Sequence, residues 1–219
     1  MRRGFTLIEL LVVIAVIVML LGMVLSALAG ARGAVLTTVS LNNLRQIAVL
    51  SRQYSGENRD RSPALGFPWT HSPFWAQEVE YRSGRDEAHV VYATEEILRD
   101  PHCEARYGYE MERCYAANGT GRSGMSGDTE DYDTSVVSIR LDRVRDTSVP
   151  WYLTSAIEAT IIIGPPPTST AGALDLRDPT HVARRLGRFA GRDRFVFVAI
   201  DGSTATRATI PEAWEEALP

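Results

Sequence analysis

The chain has 219 residues and a formal net charge of −4, with 45% hydrophobic and 23% charged residues. This composition is that of a globular protein and excludes a wholly disordered chain or a collagen-like repeat, and the acidic balance is unlike that of proteins that bind nucleic acid by neutralising phosphates. All 23 basic residues are Arg, which excludes Schiff-base and P-loop chemistry that depends on Lys.

The first predicted element is an apolar helix near the N-terminus. The 22 residues from Leu10 to Ala31 contain Ser26 as their only polar side chain. A helix of this length rises about 33 Å, which is enough to cross a hydrocarbon core of about 30 Å. Because Arg2 and Arg3 precede it, the positive-inside rule places the N-terminus in the cytoplasm. We therefore expect a single-pass membrane protein whose larger part lies outside the cytoplasm.

A cleaved secretory signal is the alternative interpretation of this segment. Ala27-Leu28-Ala29 has the small residues of a cleavage site, and cleavage there would start the mature chain at Gly30. The apolar stretch is, however, longer than a usual signal core, and Glu9 lies at its start. A carboxylate at the centre of a membrane helix costs about 2.5–3.5 kcal/mol on insertion scales, and less near the edge. We therefore expect Glu9 to have a partner.

The residues around Glu9 form a recognisable pattern. The segment Gly4–Glu9, which reads GFTLIE and follows two arginines, closely resembles the processing signal of type IV pilins and of the pseudopilins of type II secretion systems. The resemblance implies that a prepilin peptidase cleaves between Gly4 and Phe5 and methylates the new amine of Phe5. It also implies that Glu9 neutralises the Phe5 amine of a neighbouring subunit during filament assembly, where two unpaired charges would each be costly.

An amphipathic stripe predicts that the helix continues beyond the membrane. Apolar side chains recur at helical spacing on one side from residue 36 to residue 54, namely Leu36, Leu44, Ile47, Leu50 and Tyr54. An exposed helix of this length is unstable alone, so we expect a small sheet to cover it. A short anchor followed by a flexible linker is the alternative, and the stripe argues against it.

These observations and the resemblance together give an α+β fold, pilin-like, in which a long N-terminal helix packs on a small, mainly antiparallel sheet. The expected divisions are a leader peptide at 1–4, a transmembrane helix at 5–31, an amphipathic extension of that helix at 32–55 and an extracytoplasmic α+β domain at 56–219. The implied location is the bacterial inner membrane. The implied partners are the prepilin peptidase, other pilin-like subunits, further copies of the chain, and the inner-membrane platform of a secretion or pilus machine.

The two cysteines form a candidate disulfide. Cys103 and Cys114 are the only cysteines, and ten residues separate them. In a chain placed outside the cytoplasm, an even pair favours a disulfide worth about 2–3 kcal/mol by loop entropy. Reduced, buried cysteines are one alternative. A zinc site is another, but His102 with the two cysteines gives only three potential ligands, so we expect no metal there.

An acidic loop offers a weak candidate for calcium binding. Four carboxylates follow a Gly- and Ser-rich stretch, namely Asp128, Glu130, Asp131 and Asp133. Major pseudopilins use a loop to bind calcium, and oxygen ligands suit that ion. A solvated loop is the alternative, because no Gly lies at an EF-hand-like offset among these acids. We expect no cofactor.

A hairpin is predicted near the C-terminus. Strands are expected at 151–155, 194–200 and 203–210, with Asp201 and Gly202 between the last two. An Asp-Gly pair between such strands favours a two-residue type I′ turn with positive φ at both residues. The first strand of this hairpin is apolar on both faces, so we expect it to be covered on both sides and its partner strand to be more exposed.

The same region resembles the large bacterial group of pilin-like proteins that have an H-x9-DG motif at the C-terminus. His181 precedes the Asp-Gly pair with 19 residues between, where that group has nine. Pro101-His102-Cys103 and the segment 114–119 resemble a Cys-Pro and a Ser/Cys-Tyr-x-x-Asn pattern of the same group. A catalytic pairing of His181 with Asp201 has little support, because the turn already explains Asp201.

The sequence as a whole favours a structural subunit that is not an enzyme and that assembles into a type II secretion pseudopilus or a type IV pilus-like filament. No nucleophile elbow, paired metal motif or phosphate loop is present. One alternative is a membrane-anchored periplasmic binding or sensory module that uses a pilin-type signal and does not polymerise. An anchored enzyme is the other. The sequence does not distinguish secretion from adhesion or DNA uptake.

Overall fold

The computed structural model describes residues 6–65, 74–84, 96–121, 138–157, 170–191, 193–215 and 218. The chain divides into two compact units, one ending at Leu36 and the other running from Thr37 to Pro219. Helix α1, Leu7–Glu57, begins in the first unit and ends in the second. The predicted continuation of the helix beyond the apolar segment is therefore confirmed, and the expected strands fall in the second unit.

The part of α1 that lies in the second unit packs through one face. Its buried residues recur at helical spacing, namely Ser40, Leu44, Ile47, Ala48, Ser51 and Ser55. Leu44 and Ile47 belong to the predicted stripe and are fully buried, whereas Leu50 and Tyr54 are half-buried. The helix ends where Arg59 and Asp60 adopt positive φ, 56° and 57°, which a helix cannot accommodate.

Besides α1, the described residues include three short α-helices: α2 at Phe74–Arg82, α3 at Pro101–Tyr107 and α4 at Pro179–Arg185. Both α3 and α4 begin with an Asp-Pro pair. Asp100 and Asp178 are the N-caps, and each side chain accepts hydrogen bonds from two backbone N–H groups of its helix. Proline at the first helical position has the required φ and needs no acceptor. The sequence thus sets both helix starts locally.

The sheet has five described strands, β1 at Tyr115–Asn118, β2 at Pro150–Thr154, β3 at Ala173–Leu174, β4 at Phe195–Ala199 and β5 at Thr204–Arg207. Their order is β3-β1-β2-β4-β5. The pairs β1–β2, β2–β4 and β4–β5 are antiparallel, and β1–β3 is parallel. The expected α+β fold with a mainly antiparallel sheet is confirmed.

Burial along the strands follows the predicted pattern. Every residue of β1, β2 and β4 is buried, whereas β5 alternates between half-buried and exposed positions. The α1 face joins the same hydrophobic cluster as these central strands. The hydroxyls of Ser51 and Tyr152 lie 2.7 Å apart, and the rings of Tyr152 and Trp75 have centroids 4.9 Å apart. The buried face of α1 and the central strands therefore share one hydrophobic core.

The hairpin between β4 and β5 is present, but the predicted type I′ turn is wrong. The carbonyl of Ala199 accepts from the N–H of Gly202 at 2.9 Å, and the N–H of Ala199 donates to the carbonyl of Ser203 at 2.8 Å. The connection therefore has three residues, 200–202, and Gly202 alone has positive φ, 88°. A three-residue connection places only its last residue in the left-handed region. Asp201 instead accepts from the N–H of Ser203 at 2.8 Å.

The outer edge of β5 is occupied by arginine side chains. Because Ser203 pairs with β4, the backbone carbonyls of Thr206 and Ala208 point away from β4. The Thr206 carbonyl accepts from Arg194 at 2.6 Å, and the Ala208 carbonyl accepts from Arg188. These two acceptors of the edge strand are therefore already engaged within the chain.

A buried polar junction connects α1 to α3 and β1. The Asp100 carboxylate accepts from the Ser40 hydroxyl at 2.5 Å and from the N–H groups of His102 and Cys103 at 2.7 and 3.2 Å. The Ser40 hydroxyl also lies 3.3 Å from that of Tyr115. Burial raises the pKa of Asp100, and the hydrogen bond from Ser40 opposes that shift. We call Ser40, Asp100, His102 and Tyr115 the Asp100 junction.

Candidate processing and assembly site

The described part of the candidate site begins at Thr6, since Gly4 and Phe5 lie outside the described residues. Thr6 precedes the first residue of α1, and Glu9 occupies the third helical position. The Thr6 N–H and hydroxyl both donate to one carboxylate oxygen of Glu9, at 2.8 and 2.7 Å. The Glu9 N–H in turn lies 3.3 Å from the Thr6 hydroxyl oxygen. These reciprocal bonds form a capping box, which starts the helix at this point.

Glu9 is the predicted assembly residue, whereas no role was predicted for Thr6. The Thr-x-x-Glu spacing in front of an apolar run is the usual sequence signal of a capping box, so the pair was open to prediction. In the structure both Thr6 donors converge on the same carboxylate oxygen, Oε2. A carboxylate has lone pairs on two oxygens, so this box leaves Glu9 with further acceptor capacity.

The helix that follows Glu9 exposes its apolar side chains. Large apolar residues from Leu7 to Leu28 are 47–80% exposed. One 18-residue window of α1 has a mean hydropathy of 3.1, and none of that window is buried. Exposed apolar surface costs about 25 cal/mol per Å² in water, so this segment requires a bilayer or other apolar helices around it. The length and composition of the helix fit a membrane-anchored, single-pass protein.

The two cysteines are both buried and lie side by side. Each is fully buried and carries a free thiol. A hydrogen bond to Cys114, together with burial, raises the pKa of the Cys103 thiol. His102 contacts the Thr37 hydroxyl through Nε2 at 3.0 Å. Within the described ranges, no group of three or more His, Cys, Asp or Glu side chains is arranged to hold a metal ion.

Of the remaining candidate residues, some contribute to the described fold and the others lie outside the described residues. His181 is buried, and its Nδ1 accepts from the N–H of Asp175 at 3.2 Å, which joins α4 to the segment after β3. Asp201 and Gly202 lie in the β4–β5 connection, and Asp201 is exposed. The calcium candidates Asp128, Glu130, Asp131 and Asp133 lie outside the described residues, so calcium binding stays a prediction.

The comparisons with known proteins locate the similarity at the N-terminus. No curated protein and no solved structure matches the chain. Residues 1–25 match the family model described as the prokaryotic N-terminal methylation motif. The chain therefore carries the prepilin-type signal of the type IV pilin and pseudopilin family, which implies processing by a prepilin peptidase, and the matched residues include the first part of the apolar helix α1.

Proposed function

We propose that this protein is a pilin-like structural subunit that assembles into a type II secretion pseudopilus or a type IV pilus-like filament. The observation that carries the proposal is the methylation motif at residues 1–25, which includes the first part of a helix of membrane length. Processing removes residues 1–4 and leaves Phe5 as the N-methylated terminus. The chain then lies in the bacterial inner membrane with the second unit outside the cytoplasm.

Assembly follows from the charges at the start of the mature helix. The Phe5 amine is cationic, and Glu9 lies one helical turn farther along the chain. At a separation of about 4 Å and an effective dielectric constant of about 20, such a pair gains about 4 kcal/mol. That gain offsets the cost of about 2.5–3.5 kcal/mol for an ionised side chain at the centre of a membrane helix. Pairing between subunits thus fixes their register.

The exposed apolar helix supplies the packing surface of the filament. When subunits leave the bilayer, these side chains exchange lipid for the helices of other subunits, so the apolar surface stays out of water. The prepilin peptidase and the inner-membrane platform are the required partners, and no reaction by the chain itself is needed. The second unit then forms the outer surface of the filament.

A Glu9→Leu variant tests this proposal in cells that carry the assembly machinery. The Gly4–Phe5 bond stays intact as a substrate, so mass spectrometry should find N-methyl-Phe5 at the terminus of both variant and wild type. Filaments sheared from the cells should contain wild-type protein and at least tenfold less of the variant, because Leu provides no counter-ion. Leu10→Val, an apolar exchange at the next position, is the matched control and should assemble normally.

Three results would contradict the proposal. A mature terminus at Gly30 would identify an ordinary secretory signal in place of the prepilin signal. Normal recovery of Glu9→Leu protein in filaments would show that the charge pair does not direct assembly. Correct processing without any wild-type filaments would favour the anchored binding or sensory module.

A further inference from the structure

The surroundings of Cys103 and Cys114 differ from those of a metal site or a reactive thiol. Both side chains are fully buried and form a small hydrophobic cluster with Met111. Four partly buried residues pack against this cluster, namely Tyr107, Tyr109, Ile157 and Phe189. Three of the four are aromatic. Thiols with the exposed, electropositive surroundings of catalytic cysteines are the reactive ones, and these two have neither property.

The backbone holds the two cysteines at fixed positions. Cys103 is the third residue of α3, and its N–H donates to Asp100 at 3.2 Å. Cys114 directly precedes β1, donates its N–H to the carbonyl of Leu98 at 2.8 Å, and accepts from the N–H of Ser155 at 3.0 Å. The two side chains belong to the same small buried cluster. A bond between them therefore joins two elements that the fold already places in contact.

We propose that Cys103 and Cys114 form a disulfide in the mature protein and that this bond fixes the first turn of α3 to the start of β1. The inference depends on the proposed function, because an oxidising compartment requires that the second unit lies outside the cytoplasm. The loop closed by the bond contains the ten residues 104–113.

The oxidation is a two-electron exchange with a disulfide of an extracytoplasmic thiol oxidase. Two S–H bonds break and one S–S bond forms, while the oxidant's S–S bond breaks and takes up the two electrons and two protons to become a dithiol. The attacking species is a thiolate, and the raised pKa of Cys103 disfavours it in the folded chain. Because both thiols are also fully buried in the folded chain, we expect oxidation to precede complete folding.

The disulfide also stabilises the Asp100 junction. Asp100 caps α3 and accepts the Ser40 hydroxyl of α1, so the junction opens when the first turn of α3 moves. A bond at Cys103 holds this turn on β1, whose first residue, Tyr115, contacts the same Ser40 hydroxyl. Reduction should therefore loosen the contact between α3 and α1, even though the two sulfurs are not part of it.

Thiol counting on the full chain in detergent tests the proposal. Wild-type protein is unfolded in denaturant and treated with a maleimide polymer, with and without prior reduction. We expect no label without reductant and two labels after it, since a disulfide does not react even when unfolded. Cys103→Ser, which leaves one thiol, should take one label under both conditions and calibrates the count. Two labels on unreduced wild-type protein would overturn the proposal.

A thermal measurement tests the structural role of the bond. Reductant should lower the Tm of the wild type by about 5–10 °C, as expected for a short closed loop in a chain of this size. It should leave the Tm of the Cys103→Ala/Cys114→Ala double variant unchanged. An equal response of the two proteins to reductant would refute the stabilising role of the disulfide. Mass spectrometry of the N-terminus on the same sample separates the two hypotheses, since N-methyl-Phe5 with two free thiols would remove the disulfide and leave the proposed function intact.

Discussion

At the scale of single residues, two buried serines of α1 donate hydrogen bonds to different kinds of acceptor. Ser40 donates to the buried carboxylate of Asp100, whereas Ser55 donates to the carbonyl of Ser51 one turn earlier. A hydrogen bond to a charged group contributes about 1.5–3 kcal/mol, and a neutral one contributes about 0.5–1.5 kcal/mol. The hydroxyl of Ser40 should therefore contribute more to the free energy of unfolding than the hydroxyl of Ser55.

Ser40→Ala should lower the free energy of unfolding by about 2 kcal/mol, because Asp100 loses one of its three described donors. Ser55→Ala is the matched control, with the same substitution on the same buried face of α1. It should cost about 1 kcal/mol. Both variants gain the same helix propensity, so that contribution cancels. Urea denaturation of the full chain in detergent, followed by circular dichroism, measures both; equal losses would refute the charge-specific role of Ser40.

The burial of single residues was predicted correctly where it follows a local pattern of apolar side chains. Leu44 and Ile47 follow the apolar stripe, and both are fully buried. Ser40 and Ser51 were not predicted to be buried, because hydropathy treats serine as polar. Their burial depends on Asp100 and Tyr152, which are 60 and 101 residues away in sequence. No local pattern encodes such a partner.

At the scale of elements, the β4–β5 hairpin shows which part of a turn the sequence determines. Gly202 has φ of 88°, in the region where a side chain costs about 1–2 kcal/mol. Gly202→Ala should therefore lower the Tm by about 2–8 °C for a chain of this size. Gly191→Ala is the matched control, since a Cβ at Gly191 has no neighbour within 4 Å and its φ lies outside that region. A thermal scan that gives equal shifts for the two variants would contradict this account.

The same hairpin shows why element prediction failed in detail. The two β-rich runs and the Asp-Gly pair between them correctly predict two antiparallel strands, since those signals are local. They do not determine the closing pair, which is Ala199 with Ser203. Register depends on how β4 pairs with β2 on its other side, including the hydrogen bond from the Val196 N–H to the Thr154 hydroxyl oxygen at 3.1 Å. That partner strand is more than 40 residues away.

At the scale of the whole molecule, the second unit has a core that requires part of α1. Leu44 and Ile47 are fully buried members of the same hydrophobic cluster as β1, β2 and β4. A chain that starts at Thr37 should therefore be soluble and unfold cooperatively. A chain that starts at 56 lacks the buried face of α1 and should show no cooperative transition. Circular dichroism during heating compares the two, and a shared midpoint would show that the sheet folds without the helix.

The occupied acceptors along β5 have a consequence for molecules held close to one another. An open strand edge is a template on which a second chain adds by backbone pairing, and crowded copies then join edge to edge into aggregates. Arg194 and Arg188 already engage the Thr206 and Ala208 carbonyls, and the guanidinium groups place positive charge beside the strand. We therefore expect crowded copies of this protein to resist edge-to-edge pairing through β5.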